Sequence, residues 1–286
     1  MSLHIKNLIC GTDFSDSSMG AVHEAIRLTT GRPGARLVMV HVTQKSREAW
    51  PALEQRLQQW LEAMPDFGAL DPEQVELIIA PGRISQTLGE IASQRADSLI
   101  VVGPLRKGLF QQVIGGIAEQ LFSVARSPVL ATAGPVEHGY HHILVPVDFS
   151  LGSSRALQTA ASLVRDPHGA VAHGAHLDLI HAYTFPGGVP AGSVRRDLEA
   201  KIKPRLMADM HALAQKNAVD DLVANVHVAF GSARDIIVAE AERLDVDLIC
   251  MSSTGGGGDV SRAILGSTAS GVLLEAKRPL LVVSAA

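Results

Sequence analysis

"LICGTDFSDSSMGAVHEA" (Leu8–Ala25) and "ILVPVDFSLGSSRALQTA" (Ile143–Ala160) are two versions of one passage. Asp13, Phe14 and Ser15 fall on Asp148, Phe149 and Ser150, and Ser18, Ala21 and Ala25 fall on Ser153, Ala156 and Ala160. The likeness continues in order. "VMVHV" (Val38–Val42) returns as "DLIHA" (Asp178–Ala182), "PGRISQTLGEIASQRADSLIVVG" (Pro81–Gly103) as "FGSARDIIVAEAERLDVDLICMS" (Phe230–Ser252), and "SPVLAT" (Ser127–Thr132) as "RPLLVV" (Arg278–Val283). A repeat of this length divides the chain into two like domains, 1–137 and 138–286, meeting at the short polar stretch "GPVEHGYH" (Gly134–His141).

Within a half, strand-like and helix-like segments alternate. The apolar runs Leu8–Thr12, Leu37–Val42, Val75–Ala80, Leu99–Gly103 and Val129–Ala133 are near-continuous in Val, Ile and Leu. Such runs suit parallel strands covered on both faces. Trp50, Leu53, Leu57, Trp60, Leu61 and Met64 recur at steps of three and four, which gives a helix one apolar face. Ile236, Ile237, Glu240, Ala241 and Leu244 do nearly the same, and Leu198, Ile202, Leu206, Met210 and Leu213 mark a long helix with Pro204 as a kink or a late start. The order predicts α/β architecture: two tandem, doubly wound parallel-sheet domains. The last strands, "PVLAT" and "PLLVV", are apolar sheet edges, and an unpaired apolar edge invites association. They are expected to join the halves as an intrachain pseudo-dimer, with a homodimer as a further possibility.

The 286 residues are 47% hydrophobic but only 4% aromatic, so aliphatic side chains must fill the cores. A net charge of −4, with no basic block, argues against nucleic acid or an anionic membrane as partner. No apolar run approaches the length of a membrane span, and the opening "MSLHIKNLIC" enters a strand without a signal-peptide core. The two cysteines, Cys10 and Cys250, lie in strand-like runs and read as buried free thiols of a reducing compartment. These features together predict a cytoplasmic protein.

In an open parallel sheet, ligands gather beyond the carboxyl ends of the strands. Three features converge there: Asp13 or Asp148 after the first strand of each half, Val42 or Ala182 at the end of the second, and a Gly-rich loop after the fourth. In the second half that loop is "SSTGGGGDVSRAILGST" (Ser252–Thr268). Glycines allow close backbone approach, and inward N–H groups form an anion nest. Gly266, Ser267 and Thr268 then start a helix whose free N–H groups favour phosphate. No Walker loop is present, and no lysine lies between Lys216 and Lys277.

These pieces resemble the universal stress protein family, in tandem form, over nearly the whole chain. "ILVPVDFS", "LIHAY", "DLICMSSTGG", "ILGSTAS" and "RPLLVV" carry the resemblance, with partial copies in the first half. The resemblance implies Rossmann-like domains of the adenine nucleotide alpha-hydrolase type. It also implies ATP or ADP, with or without Mg²⁺, held by G-x2-G-x9-G-[ST], with adenine against the first-strand Asp and the residue after the second-strand His. The implied residues in the second half are Asp148, Ala182, Ser252, Ser253, Gly255, Gly256, Gly266, Ser267 and Thr268. Two registers stay open: from Ser253, Gly256 fits with serine replacing the first glycine; from Ser252, Gly255 fits with the loop one residue long. The first half departs further. Asp13, Val42 and Gly103 persist, but Arg106 stands where glycine is expected, the gap to Gly115 is one residue short, and Gly116 replaces the hydroxyl.

Other chemistry finds less support. His168, His173, His176 and His181 follow no zinc spacing. His181, like His41, matches a structural histidine of the family, and the others read as a polar loop, as do His138, His141 and His142 at the linker. No metal ligand is assigned. No G-x-S-x-G and no S-G-G-x-D-[ST] loop is present. Asp259, the acid of the Gly-rich loop, reads as a turn residue. The expectation is a stress-response protein that binds an adenine nucleotide, chiefly in its second half, and acts as sensor or adaptor toward an unidentified protein partner. It is not expected to be an enzyme beyond slow ATP hydrolysis. The alternative is a scaffold that binds partners or another small ligand without nucleotide.

Overall fold

The computed structural model describes residues 5–103, 116–132, 139–165, 169–185, 192–255 and 265–284. The first half runs β1 (Asn7–Gly11), α1 (Asp16–Thr30), β2 (Arg36–Thr43), α2 (Trp50–Glu62), β3 (Val75–Pro81), α3 (Ile84–Ser93), β4 (Ser98–Val102), α4 (Ile117–Val124) and β5 (Val129–Ala131). The second repeats it as β6 (His142–Pro146), α5 (Leu151–Val164), β7 (His176–Tyr183), α6 (Gly192–Lys216), β8 (Val223–Phe230), α7 (Ala233–Arg243), β9 (Leu248–Ser252), α8 (Ser267–Glu275) and β10 (Leu280–Val283).

The strands form one ten-stranded sheet in the order β3-β2-β1-β4-β5-β10-β9-β6-β7-β8. Each half contributes the same doubly wound order. The neighbours within a half are parallel, and the halves meet where β5 and β10 pair antiparallel, with Leu130 opposite Leu281. The apolar edges thus cover one another.

Helices bury both faces of this sheet. Along β9, Leu248 and Cys250 enter one core cluster while Ile249 and Met251 enter the other, as a two-residue side-chain period requires. Each cluster draws residues from both halves, so hydrophobic burial crosses the junction. α2 buries Leu53, Leu57 and Leu61, the stripe expected from its spacing. α6 runs continuously through Pro204, so the proline does not mark its start. Among its described side chains, those of the later turns reach the core, through Met210, Leu213 and Ala214. Cys10 and Cys250 are free and fully buried, and desolvation pushes both thiols well above their ordinary pKa. No helix among the described residues is long and apolar enough to cross a membrane.

Candidate functional site

The repeated Asp-Phe-Ser builds the same turn twice. Phe14 and Phe149 take φ of 64° and 63°, a region costing a bulky residue about 1–3 kcal/mol. Local bonds hold it. Ser150 donates its backbone N–H at 3.0 Å and its hydroxyl at 2.5 Å to Asp148 Oδ1. Ser15 does the same for Asp13 at the same distances. His181 donates Nδ1–H to the Val147 carbonyl at 2.7 Å, and His41 donates to Thr12 at 3.0 Å. Each imidazole then packs on the strained ring, His181 on Phe149 and His41 on Phe14. The two strand histidines are therefore fasteners between strand ends.

In the second half this turn borders a cavity of about 540 Å³ at the carboxyl ends of β6, β7 and β9. Asp148, Ala182, Ser252, Ser253, Gly255, Gly266, Ser267 and Thr268 all line it. Gly256 lies outside the described residues, as do Asp259 and Arg262. Val147, Ile180, Ile237 and Met251 give apolar walls, and Ala233 stands at the start of α7. Among the described lining residues, Asp148 is the sole ionisable side chain.

Two glycines are fixed by close approach. A Cβ on Gly255 would lie 3.0 Å from Asp148 Oδ2, and one on Gly266 would lie 3.2 Å from the Ser253 carbonyl. Gly266 donates its N–H to that carbonyl at 2.7 Å. Its N–H therefore closes the loop and does not serve as the anion donor expected from the sequence. Ser252 is likewise engaged within the loop, donating its hydroxyl to the Thr254 carbonyl at 2.7 Å. The first bond of the α8 ladder joins Ser270 N–H to the Gly266 carbonyl. Ser267, Thr268 and Ala269, whose N–H groups stand ahead of that ladder, line the cavity, two of them with hydroxyls.

The first half differs at each of these places. Ala118, Leu121 and Phe122 pack in α4 as Ala269, Val272 and Leu273 pack in α8. In that register Gly116 takes the place of Ser267, and Ile117, 46% exposed, takes the place of Thr268. Gly116 caps α4, so the helix starts one residue later and neither hydroxyl is present. Ile84 stands where Ala233 stands, and Val42 where Ala182 stands. A Cβ on Gly11 would touch Ile84 Cδ1 and Leu88 Cδ1, both at 3.1 Å, so these side chains close in over the end of β1. Asp13 is exposed and Gly103 directly follows β4. Gly115, Arg106 and Lys107 lie outside the described residues.

The sequence missed the wall residues. Ala233 against Ile84 was visible in the repeat, but its meaning needed the packing. Two histidines were also misplaced. His142 and His176, read as linker and loop residues, are the first residues of β6 and β7. His173 does lie in an exposed turn, and His138 and His168 are outside the described residues.

The model of the universal stress protein family matches residues 4–132 and 139–284. Universal stress protein G of Salmonella typhimurium is 30% identical over 152 residues, which cover 50% of this chain and 99% of that protein. The Escherichia coli O157:H7 form is 31% identical over the same shares. A universal stress protein from Archaeoglobus fulgidus DSM 4304 superposes with a TM-score of 0.64 at 21% identity, covering 99% of this chain and 98% of that one. A putative universal stress protein from Pseudomonas aeruginosa UCBPP-PA14 gives 0.62 at 20%, covering 98% and 93%. These two likenesses concern the fold, while the family model matches both halves in turn: the chain belongs to the universal stress protein family, with two family domains in tandem.

Proposed function

We propose that the second half binds an adenine nucleotide, ATP or ADP, and that occupancy is the signal the protein passes to a partner. The carrying observation is the single cavity that gathers Asp148, Ala182, Ser252, Ser253, Gly255 and Gly266–Thr268. Its chemistry is graded. Asp148 and Ala182 lie with apolar walls that suit a flat base, with the carboxylate as acceptor for an exocyclic amine. Ser267, Thr268 and the α8 N-terminus suit phosphate oxygens. No lysine or arginine stands among the described lining residues. A bound Mg²⁺ would supply the countercharge such a phosphate tail needs.

The same donors hold ground-state phosphate as well as a transition state, which favours retention over turnover. The reading is therefore of a sensor or adaptor with at most slow hydrolysis. Calorimetry with ATP and ADP tests it, on the wild type and on Asp148→Ala and Gly266→Val. Binding to the wild type that both substitutions weaken at least tenfold is expected. No binding, or equal affinity in all three, rejects the nucleotide reading in favour of a scaffold without nucleotide. Phosphate release at or above about 1 s⁻¹, in the ordinary enzyme range, rejects the sensor reading.

A further inference from the structure

At the opposite end of the sheet from this cavity, β6, β7 and β8 gather three histidines around one carboxylate. Asp178, the third residue of β7, is fully buried. Its Oδ1 accepts from Asn225 Nδ2 at 3.0 Å. Its Oδ2 stands 3.1 Å from His142 Nε2 and 3.3 Å from His227 Nε2. His176 packs on His142 with ring centroids 4.3 Å apart. His142, His176 and Asp178 each offer a ligand atom within 4.8 Å of the others.

The backbone is shaped to bring these groups together. The β7–β8 register shifts between Leu177 and Asp178, so that Val223 pairs Leu177 but Asn225 pairs Asp178 and His227 pairs Ile180. Without the shift, Ala224 and Val226 would hold those places. Such a bulge re-aims side chains toward a site. The orientations also suit ligation. His176 donates Nδ1–H to the Gly174 carbonyl at 3.1 Å, which leaves the lone pair on Nε2. The Asn225 amide turns Oδ2 of Asp178 toward the imidazoles. Asp247 Oδ2 accepts the backbone N–H of His142 at 2.8 Å and of His141 at 2.9 Å, pinning the start of β6. Outer contacts of this kind orient metal ligands.

We infer that His142, His176 and Asp178 bind one divalent transition-metal ion, zinc by the donor set, with His227 held beside the shared carboxylate. Two imidazoles and a carboxylate favour zinc, cobalt or nickel over magnesium or calcium. Tetrahedral bonds of about 2.0–2.1 Å place ligand atoms about 3.3–3.4 Å apart, close to the 3.1 Å between His142 Nε2 and Asp178 Oδ2. The side chains of His142 and His227 are 19% and 23% exposed, which gives the ion a way in. On binding, each ligating imidazole presents an unprotonated nitrogen to the ion and keeps its one N–H on the other ring nitrogen: a neutral ring moves its proton there through solvent, and a protonated ring releases one proton. Three protein ligands leave one tetrahedral position to water or to His227 moving in, and the site fastens β6 to β7. It is independent of the nucleotide cavity.

The full-length protein, stripped with a chelator, is titrated with Co²⁺ and then Zn²⁺. One cobalt per chain, with the visible absorption of a tetrahedral ion and displacement by one equivalent of zinc, is expected. His142→Gln and His176→Gln should each weaken zinc binding at least tenfold. Asn225→Ala, which removes a positioning residue and no ligand, should weaken it about 10–100-fold. Glutamine keeps a polar group at these partly exposed positions, and circular dichroism verifies that each variant is folded. Absence of the cobalt band from the wild type overturns the inference. So does zinc affinity unchanged in the folded His142→Gln/His176→Gln double variant, because the cluster is then only a hydrogen-bonded network.

Discussion

The two halves share a backbone and differ in what they leave open. Both carry the strained Asp-Phe-Ser turn and the histidine that fastens it. Past that point, Ile84 and Val42 stand in the first half where Ala233 and Ala182 stand in the second, and Gly116 and Ile117 replace Ser267 and Thr268. A few methyl groups and two hydroxyls thus separate the two places among the described residues. Duplication preserved the frame, because every strand depends on its neighbours. The walls of one crevice could change without disturbing the sheet.

The halves also differ in how they are held. Glu24 of α1, whose side chain has no exposure, takes two bonds from the Arg27 guanidinium, at 2.9 and 2.6 Å. Arg27 in turn lies 5.3 Å from the ring centre of Tyr140, at the entrance to the second half. The same place in α5 holds Thr159, which donates its hydroxyl to the Arg155 carbonyl at 2.8 Å. Arg27→Ala strands a buried carboxylate and is expected to cost about 3–5 kcal/mol. Thr159→Ala should cost about 1 kcal/mol. Urea unfolding measures both, and equal losses would mean that this pair does not distinguish the halves.

Ala233→Ile imports the wall of the first half into the second. Overpacking of about 1–3 kcal/mol should lower nucleotide affinity roughly 10–100-fold while the sheet stays intact. Ile84→Ala with Val42→Ala makes the opposite exchange and should lower thermal stability, because it empties packed space. If Ala233→Ile binds nucleotide as the wild type does, the wall is not what sets the halves apart.

Cys10 and Cys250 report on the halves separately, since each thiol is fully buried in its own first or fourth strand. The core clusters run across the junction and β5 pairs with β10, so the halves should open as one unit. In rising denaturant both thiols are expected to react with an alkylating reagent at the same midpoint. Two separate midpoints would make each half its own folding unit.

Much of the frame was legible in the sequence. Continuous Val/Ile/Leu runs between helical stripes predict covered parallel strands, and the repeat predicts their order twice. The cavity residues Asp148, Ala182 and Gly266 were also legible, because motif spacing and strand ends are local properties. Three things were not. The positive φ of Phe149 runs against the preference of a bulky residue and is set by bonds from Ser150 and packing on His181. The role of the Gly266 N–H depends on Ser253, across a loop. The grouping of His142, His176 and His227 around Asp178 depends on a register shift in β8, which no spacing along the chain encodes.

The smallest expected effect is also the most specific. Ser267 and Thr268 stand at the α8 end of the cavity, and the first half has no hydroxyl at either place. Each hydroxyl that donates to a phosphate oxygen contributes about 0.5–1.5 kcal/mol. Ser267→Ala and Thr268→Val should therefore each weaken ATP binding roughly threefold to tenfold. Adenosine, which has no phosphate, should bind both variants as it binds the wild type, since Asp148, Ala182 and the apolar walls are untouched. The converse change, Gly116→Ser, should confer no binding on the first half while Ile84 and Val42 stand in place of Ala233 and Ala182. Calorimetry with ATP and adenosine on the same proteins separates these outcomes. Equal losses for both ligands would show that the hydroxyls shape the loop and do not meet phosphate. A gain of binding in Gly116→Ser would show that the walls matter less than the hydroxyls.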